Sequence, residues 1–276
     1  MILFNLELAE FTRTLQSQNG LRHGDYHRYR RFCTRKLHRM KAALKIPSGR
    51  HRYKAVPIPD DINTVKFVQL LVVQAERAWA YAITLKGEHA LGEARAPGRI
   101  RHRYIHKFHR AAYWSKKLLE LAQRCCDDRT QLECEAYHFW LSGLAHTEAG
   151  DYQGAMKLID ASVEKYNELV KGSLDSIFPG AAKAYRHRIT DLDPVMRVCK
   201  YKSRVGIVPQ KQAEAEPGSP KSIADFESAH GMSDEGEGEV EFSDSDMSED
   251  DEAAKDQKKT ILGAVAGKIG GWWSKS

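Results

Sequence analysis

Leu21 to Lys54 reads LRHGDYHRYRRFCTRKLHRMKAALKIPSGRHRYK. The stretch holds twelve Lys or Arg and four His against a single acid, Asp25, a net charge of +11 where the whole chain carries +6. Gly24-Asp25 marks a helix start, with Asp25 placed to cap the first N–H groups. Beyond it Tyr26, Tyr29, Cys33, Leu37, Met40 and Leu44 recur at intervals of three or four, one apolar stripe over five turns. Arg28, Arg31, Arg35 and Arg39 fall on the opposite side with His27 and His38, and Arg30, Lys36 and Lys41 take the flanks. Arg22 stands just ahead of the helix. Pro47, Ser48 and Gly49 end it, and Arg50, His51, Arg52, Tyr53 and Lys54 carry the charge into a loop. The stripe asks for a helical scaffold to dock on, and the opposite face asks for a polyanion to relieve its self-repulsion.

A merely solvated basic face is the alternative reading. Solvated helix faces usually mix signs so that neighbours one turn apart attract. Here no acid occurs between Tyr26 and Lys54, and arginine exceeds lysine in the helix, which suits planar, multi-donor contact with phosphates and guanines.

Working outward, the spacing predicts an all-α fold. Leu3 to Gln18 reads as a short amphipathic helix ended by Asn19-Gly20. Asp60 or Asp61 is placed to cap a third helix through Val65, Val68, Leu71, Val72, Ala75, Trp79, Ala82 and Ile83, with Trp79 as a core anchor. Ala94 to Gly98 reads as a turn. Arg99 to Lys117 has seven bases, Arg99, Arg101, Arg103 and Lys107 among them, and no acid. It predicts a second basic helix lying beside the first, buried through Ile100, Tyr104, Phe108 and Ala111. His102, His106 and His109 have metal-compatible spacing but lack Cys or acid nearby, so they read as surface histidines.

Leu132 to Glu148 and Tyr152 to Val170 read as a helical hairpin joined by AGDYQGA (Ala149 to Ala155), a turn of tetratricopeptide character. Gly143 and Ala155 fall where that repeat needs small residues. Two further helical pieces follow, Asp175 to Ile189 and Pro194 to Lys202. The expected architecture is therefore tetratricopeptide-like helical hairpins forming one domain over residues 1–204.

The charge then reverses. Glu214 to Glu252 holds fifteen acids and one base, a net of −14, so the part of the chain before Glu214 carries +16. Residues 205–252 predict a disordered acidic tail, because little there offsets the ordering entropy. Ser243 and Ser248 each have an acid three residues on, a context for an acidophilic kinase. Residues 253–276 form a Lys- and Gly-rich terminus ending near the pair Trp272-Trp273. Five cysteines without CxxC or zinc spacing and the lack of a secretory pattern read as reduced thiols of an intracellular chain. No apolar run is long enough for a transmembrane segment.

There is no phosphate-cradling glycine loop, GxSxG, HExxH or supported Cys–His pairing, so the expectation is no enzyme and no cofactor. Two readings stand: an RNA-binding helical module, or a tetratricopeptide-like adaptor binding acidic protein segments.

The words LRHGDYHRYR and RFCTRKLHR, within Asn19 to Lys45, resemble the amino-terminal RNA-binding domain of the signal recognition particle subunit 68 family. The likeness continues in AERAWAYA (Ala75 to Ala82) and, more weakly, in EAYHFWLSGL (Glu135 to Leu144), covering about residues 5 to 204. The end of the domain, DLDPVMRVCKYK, departs from the family's PxxRYCxYN-like pattern.

The resemblance implies a ribonucleoprotein subunit that binds and shapes the particle's 7S RNA near an internal loop by a multi-helix junction. It places the contact on Arg28, Arg31, Arg35 and Arg39. Arg22, His27, Arg30, Lys36, Arg50, Arg52 and Lys54 are neighbouring candidates, and Arg99, Arg101, Arg103 and Lys107 rest on charge alone. It also implies a role in co-translational targeting to the endoplasmic reticulum, a cytoplasmic location with ribosomes, and nucleolar passage during assembly. The signal peptide and the receptor would be met only through the particle. The chain is about half the length usual in that family, and the acidic tail stands where members continue into the region that pairs with signal recognition particle subunit 72.

Overall fold

A computed structural model describes residues 3–46, 64–92, 97–172 and 179–204. Seven α-helices occur among them: α1 (Leu8–Gln18), α2 (Tyr26–Ala43), α3 (Lys66–Ala90), α4 (Pro97–Cys125), α5 (Asp128–Ala149), α6 (Tyr152–Gly172) and α7 (Pro179–Arg204). A single 3₁₀ turn, Leu21–His23, joins α1 to α2. From α2 onward each helix packs on the next, and α1 returns to lie against α5 and α7. The all-α expectation holds, with no β-strand among the described residues and one isolated bridge between Phe4 and Cys126.

That bridge is why α1 is shorter than its apolar spacing predicts. Phe4 N–H donates to the Cys125 carbonyl (2.9 Å) and Asp127 N–H to the Phe4 carbonyl (3.1 Å), holding the chain extended before the helix. Leu6 N–H then donates to Thr130 Oγ1 (3.0 Å) and Ala9 N–H to Glu133 Oε2 (3.0 Å). The Glu133 carboxylate of α5 thus satisfies an N–H of the first turn of α1, where a helix leaves its donors unpaired.

Helix α3 is the centre of the packing. Val68, Leu70 to Ala75, Ala78 to Ala80 and Ala82 are buried, with α2 on one flank and α4 on the other. A helix enclosed on both flanks is apolar over more of its circumference than a single stripe predicts. Trp79 is buried as expected, its ring centroid 5.8 Å from Trp140 of α5 and 5.8 Å from Tyr26 of α2. Glu76, fully buried, accepts from Gln16 Nε2 (2.8 Å), Tyr29 Oη (2.8 Å) and Tyr137 Oη (2.7 Å), so one carboxylate ties α1, α2 and α5 to α3.

The hairpin of α5 and α6 follows its expected bounds closely. A Cβ on Gly143 would meet Ile159 Cγ1 at 2.8 Å and the Ala155 carbonyl at 3.6 Å, which is the close approach that asked for small residues. In the turn, Gly150 is left-handed (φ 95°) and Asp151 accepts from Gly154 N–H (3.0 Å) and meets His146 Nδ1 (2.9 Å). Those contacts, the backbone one first, hold the Asp151 carboxyl below its ordinary value.

Three expectations are corrected. Pro97 and Gly98, read as part of a turn, open α4, with Pro97 at the first helical position, where its missing N–H costs nothing. The two pieces near the carboxy end are one helix that runs through Pro194. Buried Ala181, Ala184, Tyr185, Leu192, Val195, Met196 and Cys199 keep one apolar face across the proline. His109, read as a surface histidine, is buried at 1% exposure. The cap at Asp60 or Asp61, the acidic tail with Ser243 and Ser248, and Trp272-Trp273 lie outside the described residues. Among the described residues no helix is long and apolar enough to cross a membrane.

Candidate nucleic-acid interface

Asp25 starts α2 as its position predicts, its Oδ1 accepting from Arg28 N–H at 2.8 Å. Tyr29, Cys33 and Leu37 are buried against α3, and Tyr26, Met40 and Leu44 pack partly buried beside them. That docking fixes which side of α2 faces out. Arg28, Arg31, Arg35 and Arg39 are all exposed. None of the four makes an ion pair with an acid among the described residues. At 1.5 Å per residue they mark out about 16 Å of helix.

The flanking bases are held in defined positions. Lys36 is half-buried, its Nζ 5.4 Å from the Phe11 ring centroid and 5.8 Å from that of Phe32. Burial first, and then the positive charge of Arg39, holds its amine below the ordinary lysine value. Arg30 lies with its guanidinium 4.3 Å from the centroid of Tyr81, on α3. His27 is exposed on the arginine side; partial desolvation beside Arg30 and Arg31 holds its imidazole below the usual value.

Tyr81 also reaches α4. Arg103 donates to its hydroxyl (2.9 Å), and Lys107 Nζ stands 5.2 Å from its ring centroid. One aromatic ring on α3 therefore draws together cations from α2 and α4, the two helices expected to lie side by side. Each packs chiefly on α3, and Tyr81 bridges between them.

The four candidates on α4 divide. Arg99 and Arg103 are exposed and Arg101 is half-buried. Lys107, expected on the exposed face, is buried at 5% exposure. Burial, followed by the charges of Arg110, Arg77, Arg103 and Arg30, brings its amine down to about 7. The spacing held a signal for this burial: Tyr104, Lys107, Phe108 and Ala111 share one helix face, and three of the four are apolar. Arg22 is exposed on the 3₁₀ turn, whereas Arg50, Arg52 and Lys54 lie outside the described residues.

Tyr81 and Glu76 stand within the word AERAWAYA (Ala75 to Ala82), yet neither is singled out there; the role of each shows only in what converges on it. No three His, Cys, Asp or Glu converge as a metal site among the described residues. What the surface presents is a row of outward guanidiniums on a rigid helix, able to contact phosphates at several points and to hydrogen-bond in two directions at once.

Comparison with known proteins bears on this surface. The signal recognition particle subunit SRP68 of Drosophila melanogaster is 33% identical over 206 residues, covering 72% of this chain and 33% of the relative. The subunit of the same name from Dictyostelium discoideum is 30% identical over 204 residues, covering 72% and 32%. The chain thus spans about a third of the length of the curated relatives it matches. The solved structure of the SRP68-RBD from Chaetomium thermophilum superposes with a TM-score of 0.58 at 23% identity, covering 72% of this chain and all of that one, which supports the fold. The family model of the RNA-binding signal recognition particle 68 matches residues 21–264, starting at the stretch that holds the arginine row, and the chain belongs to that family.

Proposed function

We propose that this chain is an RNA-binding subunit of the signal recognition particle, gripping the particle's 7S RNA along α2. The observation that carries this is the exposed row of Arg28, Arg31, Arg35 and Arg39, without an acidic partner among the described residues and held outward by the docking of Tyr29, Cys33 and Leu37. A regular A-form groove is too deep and narrow for such a helix, so the reading places α2 where an internal loop or junction widens it. Each neutralised phosphate releases counterions, and four arginines contribute a steep salt dependence. Arg22, Arg30, Arg99, Arg101 and Arg103 extend the same surface on either side.

In this reading the chain shapes the RNA for co-translational targeting to the endoplasmic reticulum and works in the cytoplasm with ribosomes, after nucleolar assembly. Pairing with subunit 72 of the particle belongs, in this reading, to the family's carboxy-terminal region, and signal peptide and receptor are met only through the particle. A filter-binding assay on the particle's RNA tests the grip. Replacing Arg28, Arg31, Arg35 and Arg39 by Gln should abolish specific binding and lower the salt slope by about 3, with helix content unchanged. Affinity within a few-fold of the parent would show that the surface is wrongly placed.

A further inference from the structure

At the amino-terminal end of the arginine row the surface dips into a cleft of about 390 Å³ lined by Ser17, Gln18, Gly20, Arg22, His23 and Arg28. Its volume falls in the range of small-ligand sites. Arg28 belongs both to the cleft and to the row, so a strand following the row arrives here.

The rim is stiff. Gly20 sits in the left-handed region (φ 115°), and its carbonyl accepts from His23 N–H (3.0 Å) and Asp25 N–H (3.1 Å). A Cβ on Gly20 would come within 2.9 Å of the Asp25 carbonyl and 3.3 Å of Arg28 Cβ. Gly24, also left-handed (φ 70°), closes the 3₁₀ turn through a 3.0 Å bond from its N–H to the Leu21 carbonyl. Two glycines in a conformation other residues avoid thus fold the Gly20 to Asp25 segment tightly and put Arg22 and His23 at the edge of the cleft. The one acid of the turn, Asp25, has its carboxylate engaged by the N–H of Arg28.

The chemistry of the lining is divided. Arg22 and Arg28 supply cations fit for phosphate. Gln18 offers an amide that donates and accepts, and Ser17, whose hydroxyl donates to the Thr14 carbonyl (3.2 Å), keeps its oxygen as an acceptor. The flat guanidinium and imidazole groups present faces on which a base stacks. A phosphate alone would need only the arginines; the amide and hydroxyl beside them match the edge of a base.

We infer that this cleft receives one unpaired nucleotide turned out of the RNA, its phosphate on Arg22 and Arg28 and its base against Gln18, Ser17 and His23. The inference rests on the proposed RNA reading and adds to it a position where a base, and not only backbone, is recognised. Gln18 and Ser17 lie on α1, outside the arginine row, so their role separates from that of the row.

The test is abasic scanning of the particle's RNA against the full chain and its Ser17→Ala/Gln18→Ala variant. In the parent, removing the base at one unpaired position should weaken binding about tenfold, the scale of a stacked and hydrogen-bonded base. In the variant the same removal should cost clearly less, about threefold, the share left to stacking on His23 and the guanidiniums, while the salt slope stays at the parent's value. The inference is overturned if no unpaired position in the parent costs more than twofold, or if the loss is equal in both proteins. Saturable binding of uridine or adenosine monophosphate that the RNA does not displace would also overturn it, by assigning the cleft to a free nucleotide. Failure of the RNA reading itself shows separately, as retained RNA affinity when the four arginines of the row are replaced.

Discussion

The guanidinium of Arg30 lies 4.3 Å from the centroid of Tyr81, and the same tyrosine's hydroxyl accepts from Arg103 at 2.9 Å. A residue of the central helix thereby links two cationic helices that each pack chiefly on α3.

Replacing Tyr81 tests whether that link matters. Tyr81→Phe keeps the ring under Arg30 and loses the acceptor for Arg103. Tyr81→Leu loses both. With each exposed cation–π contact worth about 0.5–1 kcal/mol, Tyr81→Leu should weaken RNA binding about two- to fivefold and Tyr81→Phe less, with thermal stability moved little by either. Filter binding at a fixed salt concentration reads the difference; equal affinities for all three proteins would mean Tyr81 does not organise the surface.

Helix α2 was legible in the sequence because all its signals agree. The cap at Asp25, the three-and-four spacing from Tyr26 to Leu44 and the like-charged opposite face each point to the same orientation. The α5–α6 hairpin was legible for a similar reason, since Gly143, Ala155 and Gly150 stand at fixed offsets around one turn. What the sequence hid is what depends on the partner helix. Lys107 and His109 look like members of an acid-free surface run until α3 and α5 cover them, and Pro194 looks like a break until the apolar face on both sides of it is seen to be continuous. Neither Glu76, though it stands in the word AERAWAYA, nor Glu133 carries a local mark of its role. Their roles come from donors as many as 61 and 124 residues away.

Glu76 leads to a prediction about the frame behind the interface. Its carboxylate accepts from Gln16, Tyr29 and Tyr137, all from different helices. Glu76→Gln keeps the shape and weakens those bonds, at a cost of about 1–3 kcal/mol. Glu76→Ala leaves two buried hydroxyls and the part-buried Gln16 amide without their acceptor and should cost more, about 3–5 kcal/mol. Urea unfolding followed by circular dichroism orders the two variants. A Glu76→Ala protein as stable as the parent would show that the carboxylate does not hold α1, α2 and α5 together.

Gly143 makes a sharper packing prediction. A methyl there gains helix propensity of about 1 kcal/mol but enters within 2.8 Å of Ile159 Cγ1. Gly143→Ala should therefore come out close to neutral, and Gly143→Val should destabilise by about 1–3 kcal/mol through overpacking. Removing the opposing Cγ1 with Ile159→Ala should offset part of the Gly143→Val loss in the double mutant, beyond the cost that Ile159→Ala carries alone. Additive effects in that double-mutant cycle would place the strain elsewhere.

The last prediction concerns pH, where buried groups pull in opposite directions. Burial pushes the Glu133 carboxyl up to about 7 from 4.5, even though Tyr185 and Arg129 favour its charge. Burial also holds His109 down at about 4, with the charge of His146 a smaller cause, and His138 down at about 4, with Lys116 contributing. Between pH 4.5 and 6.5 the folded protein keeps a proton on Glu133 that the unfolded chain releases, so this group gains stability as pH falls. In the same window the unfolded chain protonates both histidines while the folded protein leaves them neutral, so they lose stability as pH falls. Two losses against one gain leave acidification destabilising on balance. Glu133→Gln removes the gain and keeps the losses, so its stability should fall more steeply, by up to about 1.4 kcal/mol per pH unit beyond the parent's slope. Urea titrations at half-unit steps from pH 4.5 to 6.5 measure both slopes, and the comparison is independent of whatever constant cost the substitution carries. Parallel slopes would mean that Glu133 is ionised in the folded protein throughout this range, held there by Arg129 and Tyr185 against its burial.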